Sequence, residues 1–264
     1  MVLYALLLCS VFFARSVYGF LDKQPHYVKT CMIKQPREIF LNCSTHAVQG
    51  LFNEIPKGVP EIGLQVLDPL EVDHINILQG GGGPVTVNAS LSNVKVLGFG
   101  NTRIVFNSVD PKTYDFYTKL ALPRLRIDGL YELLGRILVI PLRGKGICWF
   151  EAKNLEINVK SDVVMQKHDG FQFFHVTKVH VKFSIGGLKL HMSNLFDGIK
   201  ALEDSTNAYL NANWRPVAES LNPILSKTIE DIMLDILQKV FDNIPANFFL
   251  GDLDESAGEN VEEQ

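Results

Sequence analysis

Residues 214–241 read WRPVAESLNPILSKTIEDIMLDILQKVF, and the spacing of their apolar members sets the architecture. Val217, Leu221, Leu225, Ile229, Ile232, Ile236 and Val240 recur at three- and four-residue steps, while Glu219, Lys227, Glu230, Asp231, Asp235, Gln238 and Lys239 fill the other side. This pattern is one amphipathic helix, with Asn213 as its candidate N-cap and Asp235 and Lys239 as a favourable i,i+4 pair. At 1.5 Å per residue it would be roughly 40 Å long. Pro216 falls in the first turn, where a missing N–H costs little, whereas Pro223 lies deeper, where a kink is expected.

Upstream, residues 171–185 alternate with a period of two. Phe171, Phe173, His175, Thr177, Val179, Val181, Phe183 and Ile185 occupy the odd positions, and Gln172, Lys178, His180, Lys182 and Ser184 the even ones. Leu155, Ile157 and Val159 repeat the alternation against Asn154, Glu156, Asn158 and Lys160. Both read as antiparallel strands with one solvated face. A strand of about fifteen residues obliges its sheet to twist and curl, and it matches the long helix in length, so the two can run side by side. The fold class is α+β. Between Cys43 and Ile55, Val48, Leu51, Phe52 and Ile55 predict a short helix, capped by Ser44 or Thr45 and ended by Pro56, Gly58 and Pro60.

The termini bound the rest. An apolar run ending near Phe13, followed by Val17-Tyr18-Gly19, reads as a secretory signal peptide over residues 1–19, which places the protein outside the cell. A single domain over 20–250 is expected, followed by an acidic disordered tail at 251–264. No later window has the 18 or so uncharged apolar residues that membrane insertion requires. With 25 basic against 29 acidic residues and no basic cluster, nucleic acid is excluded as a partner. Cys31 and Cys43 are expected to pair in an oxidising compartment, which leaves Cys148 as a buried, inert thiol beside Ile147, Trp149 and Phe150. Asn88 and Asn42 each open an N-glycosylation sequon, although the second has Cys43 as its middle residue.

Chemistry is sparse. The chain has no G-x-S-x-G elbow, H-E-x-x-H helix, P-loop or C-x-x-C, so the expectation is no catalytic residue, no metal and no cofactor. Gly80 to Gly83 before Pro84 read as a turn. His175 and His180, five apart on one strand, are expected on opposite faces, with His180 solvated and His175 either a hydrogen-bonded core residue or an anchor for a ligand head group. Tyr131 is comparable. Periodicity does not separate a plain core from a ligand-lined channel.

Several blocks, in order, resemble the takeout and juvenile-hormone-binding family of secreted arthropod proteins. They are the pair Cys31 and Cys43, Ile55-Pro56-Lys57-Gly58-Val59-Pro60 leading to Leu67-Asp68-Pro69-Leu70, the Gln79 to Pro84 turn, Gly135 to Gly146, and Tyr209-Leu210-Asn211-Ala212-Asn213-Trp214-Arg215-Pro216 followed by Leu221-Asn222-Pro223. The resemblance implies a highly curved antiparallel β-sheet wrapped around a long C-terminal α-helix, with an internal hydrophobic tunnel for a terpenoid, such as juvenile hormone, or a fatty-acyl lipid. It implies a monomeric carrier without catalysis, and a lipid-transfer protein acting at membrane surfaces as the alternative. The lining is expected from Phe173, His175, Val179, Val181 and Phe183 on the strand, Tyr131 and Ile137 upstream, and Trp214, Leu221, Leu225, Ile229 and Ile232 on the helix. The family's hormone carriers proper are expected to have a second disulfide. Cys148 has no later cysteine to pair with, which places the chain nearer the takeout-like branch.

Overall fold

The computed structural model describes residues 19–79, 85–137 and 140–254. Residues 1–18 of the expected signal peptide, the glycine quartet with Pro84, residues 138 and 139, and residues 255–264 lie outside the described residues. In chain order the elements are α1 (Arg37–Glu54), β1 (Leu70–Gln79), β2 (Val85–Leu97), β3 (Arg103–Val109), β4 (Phe116–Ile137), β5 (Ile140–His168), β6 (Phe171–Ser184), β7 (Gly187–Met192), α2 (Lys200–Ala212), α3 (Trp214–Phe241) and α4 (Ala246–Phe249). The strands form one open antiparallel sheet in the order β1-β2-β4-β5-β6, with β3 also on β4 and β7 also on β5.

The curvature comes from two strands long enough to change neighbours. β4 pairs first with β3, up to Ala121, and then with β2 from Arg126 onward. β5 pairs with β7 up to Lys153 and with β6 from Glu156. The two switches face each other, because Leu122 lies opposite Leu155 and Arg124 opposite Lys153. Between them sit Pro123, which has no N–H to give a ladder, and Asn154, whose φ of 51° is left-handed. The side-chain phase slips there: Leu120, Leu122, Leu155 and Ile157 face the core on one side of the switch, and Leu125, Phe150 and Ala152 on the other. The sheet therefore bends into two halves, each over its own core.

The first core gathers α1, α4, the end of α3 and residues such as Leu122, Ile157, Phe174 and Val181. The second gathers Val87, Tyr131, Leu133, Leu142, Leu190, Leu210 and Val217. α1 packs on β3, α3 along β6 and α2 on β7.

Three expectations need correction. First, α1 begins at Arg37, after Pro36, and not near Cys43. Ser44 and Thr45 cap nothing; instead the Ser44 hydroxyl donates to the Asn107 carbonyl at 2.9 Å and the Thr45 hydroxyl accepts the Asn107 N–H at 3.0 Å. Second, the alternation along β6 is broken. Asp162 lies opposite Lys178 but Val163 lies opposite Val176, leaving Thr177 as an extra residue in a β-bulge. Phe174 and Val176, at 0% exposure, thus share the core side with Val179 and Val181, and Phe173 turns away to stack on His168 at 4.0 Å beside Phe20. The bulge also places His175 and His180 on one side of the strand. Third, residues 251–254 are held: the Asp252 carboxylate accepts the N–H groups of Ile33 and Lys34 at 2.7 and 2.8 Å. The Cys31–Cys43 disulfide is present, with S–S 2.00 Å, and Cys148 is a buried free thiol.

Candidate functional site

The long helix does two jobs, and its two sides divide them. Its polar side closes the open edge of β6. Glu230 accepts the Val181 N–H at 2.9 Å, Gln238 donates to the Val176 carbonyl at 2.8 Å, Asn222 donates to the Phe183 carbonyl at 3.3 Å, and Asp242, just past the helix, lies 2.9 Å from His175 Nδ1. An edge strand left bare is a template for unwanted pairing, and here helix side chains stand in for the missing strand. His180 is exposed, 3.8 Å from Glu230.

The apolar side spans both cores. Val217 is buried in the second and Val240 in the first, roughly 35 Å apart along the helix at 1.5 Å per residue. Between them, no residue from 218 to 239 is buried. Leu221, Ile229, Ile232 and Ile236 are half-buried, and Leu225 is 36% exposed although it lies nearly opposite Lys227 on the helix. The facing sheet behaves likewise: Leu91, Leu125, Ile127, Phe150, Ala152, Leu188 and Phe183 are apolar and half-buried. The row is thus only partly covered: Leu221 packs against the second core and Ile229 and Ile236 against the first, while Leu225 and Ile232 belong to neither cluster.

The sequence-derived lining divides accordingly. Leu225 and Ile232 belong to neither core cluster; Leu221 packs against the second core, Ile229 and Phe183 against the first; Val179 and Val181 are buried in the first core, and Tyr131 and Ile137 in the second. His175 is engaged with Asp242, and Phe173 is enclosed by aromatic rings on the other side. Trp214 belongs elsewhere, lining an outer groove with Trp149. In the first core, a cavity of about 40 Å³ beside Phe116, Phe241 and Phe249 is too small for a lipid.

Two groups of the second core titrate high because they are buried. The Tyr131 hydroxyl donates to the Ser193 carbonyl at 2.8 Å, and burial, then the nearby Cys148 and Glu203, pushes it up to about 12. Burial, with Asp128, pushes the Cys148 thiol up to about 11.

Sequence reasoning overlooked the asparagines of α2. Asn207 bonds both the N–H and the carbonyl of Met192, and Asn211 those of Leu190, so their amides close the free edge of β7. The available signal was Asn at i and i+4 around the buried Leu210.

A curved antiparallel sheet with a long C-terminal helix bridging two cores, and a half-buried apolar row between them, suits a binding protein for apolar molecules. The chain belongs to the haemolymph juvenile hormone binding protein family, whose model matches residues 5–251. It is similar to the circadian clock-controlled protein daywake of Drosophila yakuba, 26% identical over 235 residues, which are 85% of this chain and 87% of that protein. It is also similar to a putative beta-carotene-binding protein of Schistocerca gregaria, 23% identical over 205 residues, 75% and 78% of the two chains. Among solved structures, Takeout 1 of Epiphyas postvittana superposes with a TM-score of 0.67 at 25% identity, over 89% of this chain and all of that one.

Proposed function

We propose that the protein is a secreted, non-catalytic carrier that holds one small hydrophobic molecule, a terpenoid or a fatty-acyl lipid, between the middle of α3 and the bent sheet. The observation that carries this reading is the α3 row, buried at Val217 and Val240 and only half-buried between, with Leu225 exposed. Family membership and the beta-carotene named for the locust relative support an apolar cargo. Export through a signal peptide over residues 1–19, a single domain over 20–250 and glycosylation at Asn88, which is exposed on β2, belong to the same reading. Asn42 is the weaker acceptor, because Cys43 is held in the disulfide within α1.

The test is displacement of the uncharged probe N-phenylnaphthylamine by farnesol and by palmitate, with mass spectrometry of organic extracts before and after incubation. Saturable displacement and unaltered ligand are expected. Absence of probe binding by delipidated protein, or recovery of a chemically altered ligand, overturns the proposal.

A second reading, transfer at membrane surfaces, draws on Leu134 and Ile147, 66% and 62% exposed, with Leu130 at 43% directly opposite Ile147 and Arg136, Arg143 and Lys145 exposed nearby. Co-sedimentation with vesicles containing phosphatidylserine, lost in Ile147→Glu, distinguishes it.

A further inference from the structure

The outer face of the sheet carries a groove that reaches round the β7 edge to Leu188 and Leu190. In β5 and β7, Trp149 lies opposite His191 and Glu151 opposite Lys189, and directly paired residues share a face. Their neighbours Cys148, Leu190 and Met192 enter the second core, so these side chains point outward. Trp214 and the α2 edge wall the groove, whose volume is about 620 Å³, enough for a ligand of ordinary small-molecule size. Both tryptophans of the chain line it.

The polar lining is largely spent. Both amide atoms of Asn207 and Asn211 are used on the backbone of β7. Glu151 accepts from Arg124 and lies 3.6 Å from Lys153. Arg126 is salt-bridged to Asp128 and covers the Trp149 ring at 4.4 Å. Lys189 has no ion-pair partner among the described residues. Arg124, Arg126, Lys153 and Lys189 thus outnumber the carboxylates of Asp128 and Glu151 on a chain of net charge −4. A hydroxyl-rich sugar would find few free partners here. A flat apolar body would find Trp214, with Arg215 5.3 Å from its ring, and the part of Trp149 that Arg126 leaves uncovered, and a negative charge would find the ammonium of Lys189.

We propose that this groove is a second ligand site, for an amphiphilic anion with a flat conjugated body, such as an aromatic sulfate or carboxylate. Its charge is met by Lys189, and its ring lies against Trp214 and the part of Trp149 that Arg126 leaves uncovered. The site does not depend on the carrier reading of α3.

The experiment follows tryptophan emission of the full chain during titration with pyrenesulfonate, with uncharged pyrenemethanol as comparator, each repeated with hexadecanol saturating the space along α3. The expected result is saturable quenching by pyrenesulfonate that hexadecanol does not displace. Lys189→Gln, an exposed position that leaves the fold intact by circular dichroism, should weaken pyrenesulfonate roughly tenfold and leave pyrenemethanol unchanged. Trp214→Leu should weaken both probes. Unsaturable quenching, displacement by hexadecanol, or undiminished pyrenesulfonate affinity in Lys189→Gln would overturn the proposal.

Discussion

The side-chain amide of Asn211 satisfies both polar groups of Leu190: its Oδ1 accepts the Leu190 N–H at 2.9 Å and its Nδ2 donates to the Leu190 carbonyl at 2.8 Å. Asn207, one turn earlier, does the same for Met192, both bonds at 2.9 Å. Replacing Asn207 by Leu would leave two buried backbone groups without partners, which should cost about 2–4 kcal/mol. Urea unfolding of Asn207→Leu checks this, and a loss below 0.5 kcal/mol, well under the roughly 1 kcal/mol of one ordinary hydrogen bond, contradicts the edge-closing role.

Glu230 plays the matching part at β6, through the Val181 N–H. Glu230→Leu should destabilise by about 1–2 kcal/mol, and Glu230→Gln, which keeps an acceptor, should recover most of it. Equal losses in the two variants would mean that charge, not the capped N–H, matters at this position.

Stability should fall on the alkaline side. Tyr131 and Cys148 are held protonated up to about 12 and about 11, against ordinary values of 10.0 and 9.0. Above the ordinary values the unfolded chain loses these protons while the folded chain keeps them, so stability present below pH 9 is lost as pH rises through about 11 and then about 12. Each group contributes on the order of 2–3 kcal/mol at most, and their mutual influence makes the sum smaller. Tyr131→Phe with Cys148→Ala should flatten the alkaline limb of a denaturation-midpoint-against-pH curve.

The same burial should protect the Cys148 thiol from chemistry. Native protein at pH 8 should not react with a disulfide thiol reagent within minutes, and one thiol per chain should titrate in guanidinium. Rapid native labelling would show that the second core opens.

The half-buried middle of α3 and its buried ends should respond in opposite ways. Leu225→Trp and Ile232→Trp fill the space beside the helix, and should lower apolar-probe capacity with little change in Tm. Val240→Ala removes packed methyl groups in the first core and should cost about 2 kcal/mol without changing probe affinity. The reverse pattern would place the guest somewhere else.

Amphipathic spacing from Trp214 to Phe241 was enough to read α3, because a 3.6-residue period over 28 residues has no strand equivalent. The alternation in β5 from Leu155 to Val159, the antiparallel sheet and the Cys31–Cys43 pair were legible on similarly local grounds. What alternation could not reveal was the extra residue at Thr177, which depends on how β6 registers with β5 and turns Phe173 and His175 away from the core. Nor could it reveal that the apolar row of α3 is buried at its ends and only half-buried between them, since hydrophobic residues repeat identically however much of them is covered. Trp214 stands at the head of that helix in the sequence, yet it faces an outer groove with Trp149, more than sixty residues away along the chain. Local periodicity records which side of an element is greasy; what that side meets depends on the bend at Pro123 and Asn154, set jointly by six strands and therefore visible only once they are assembled.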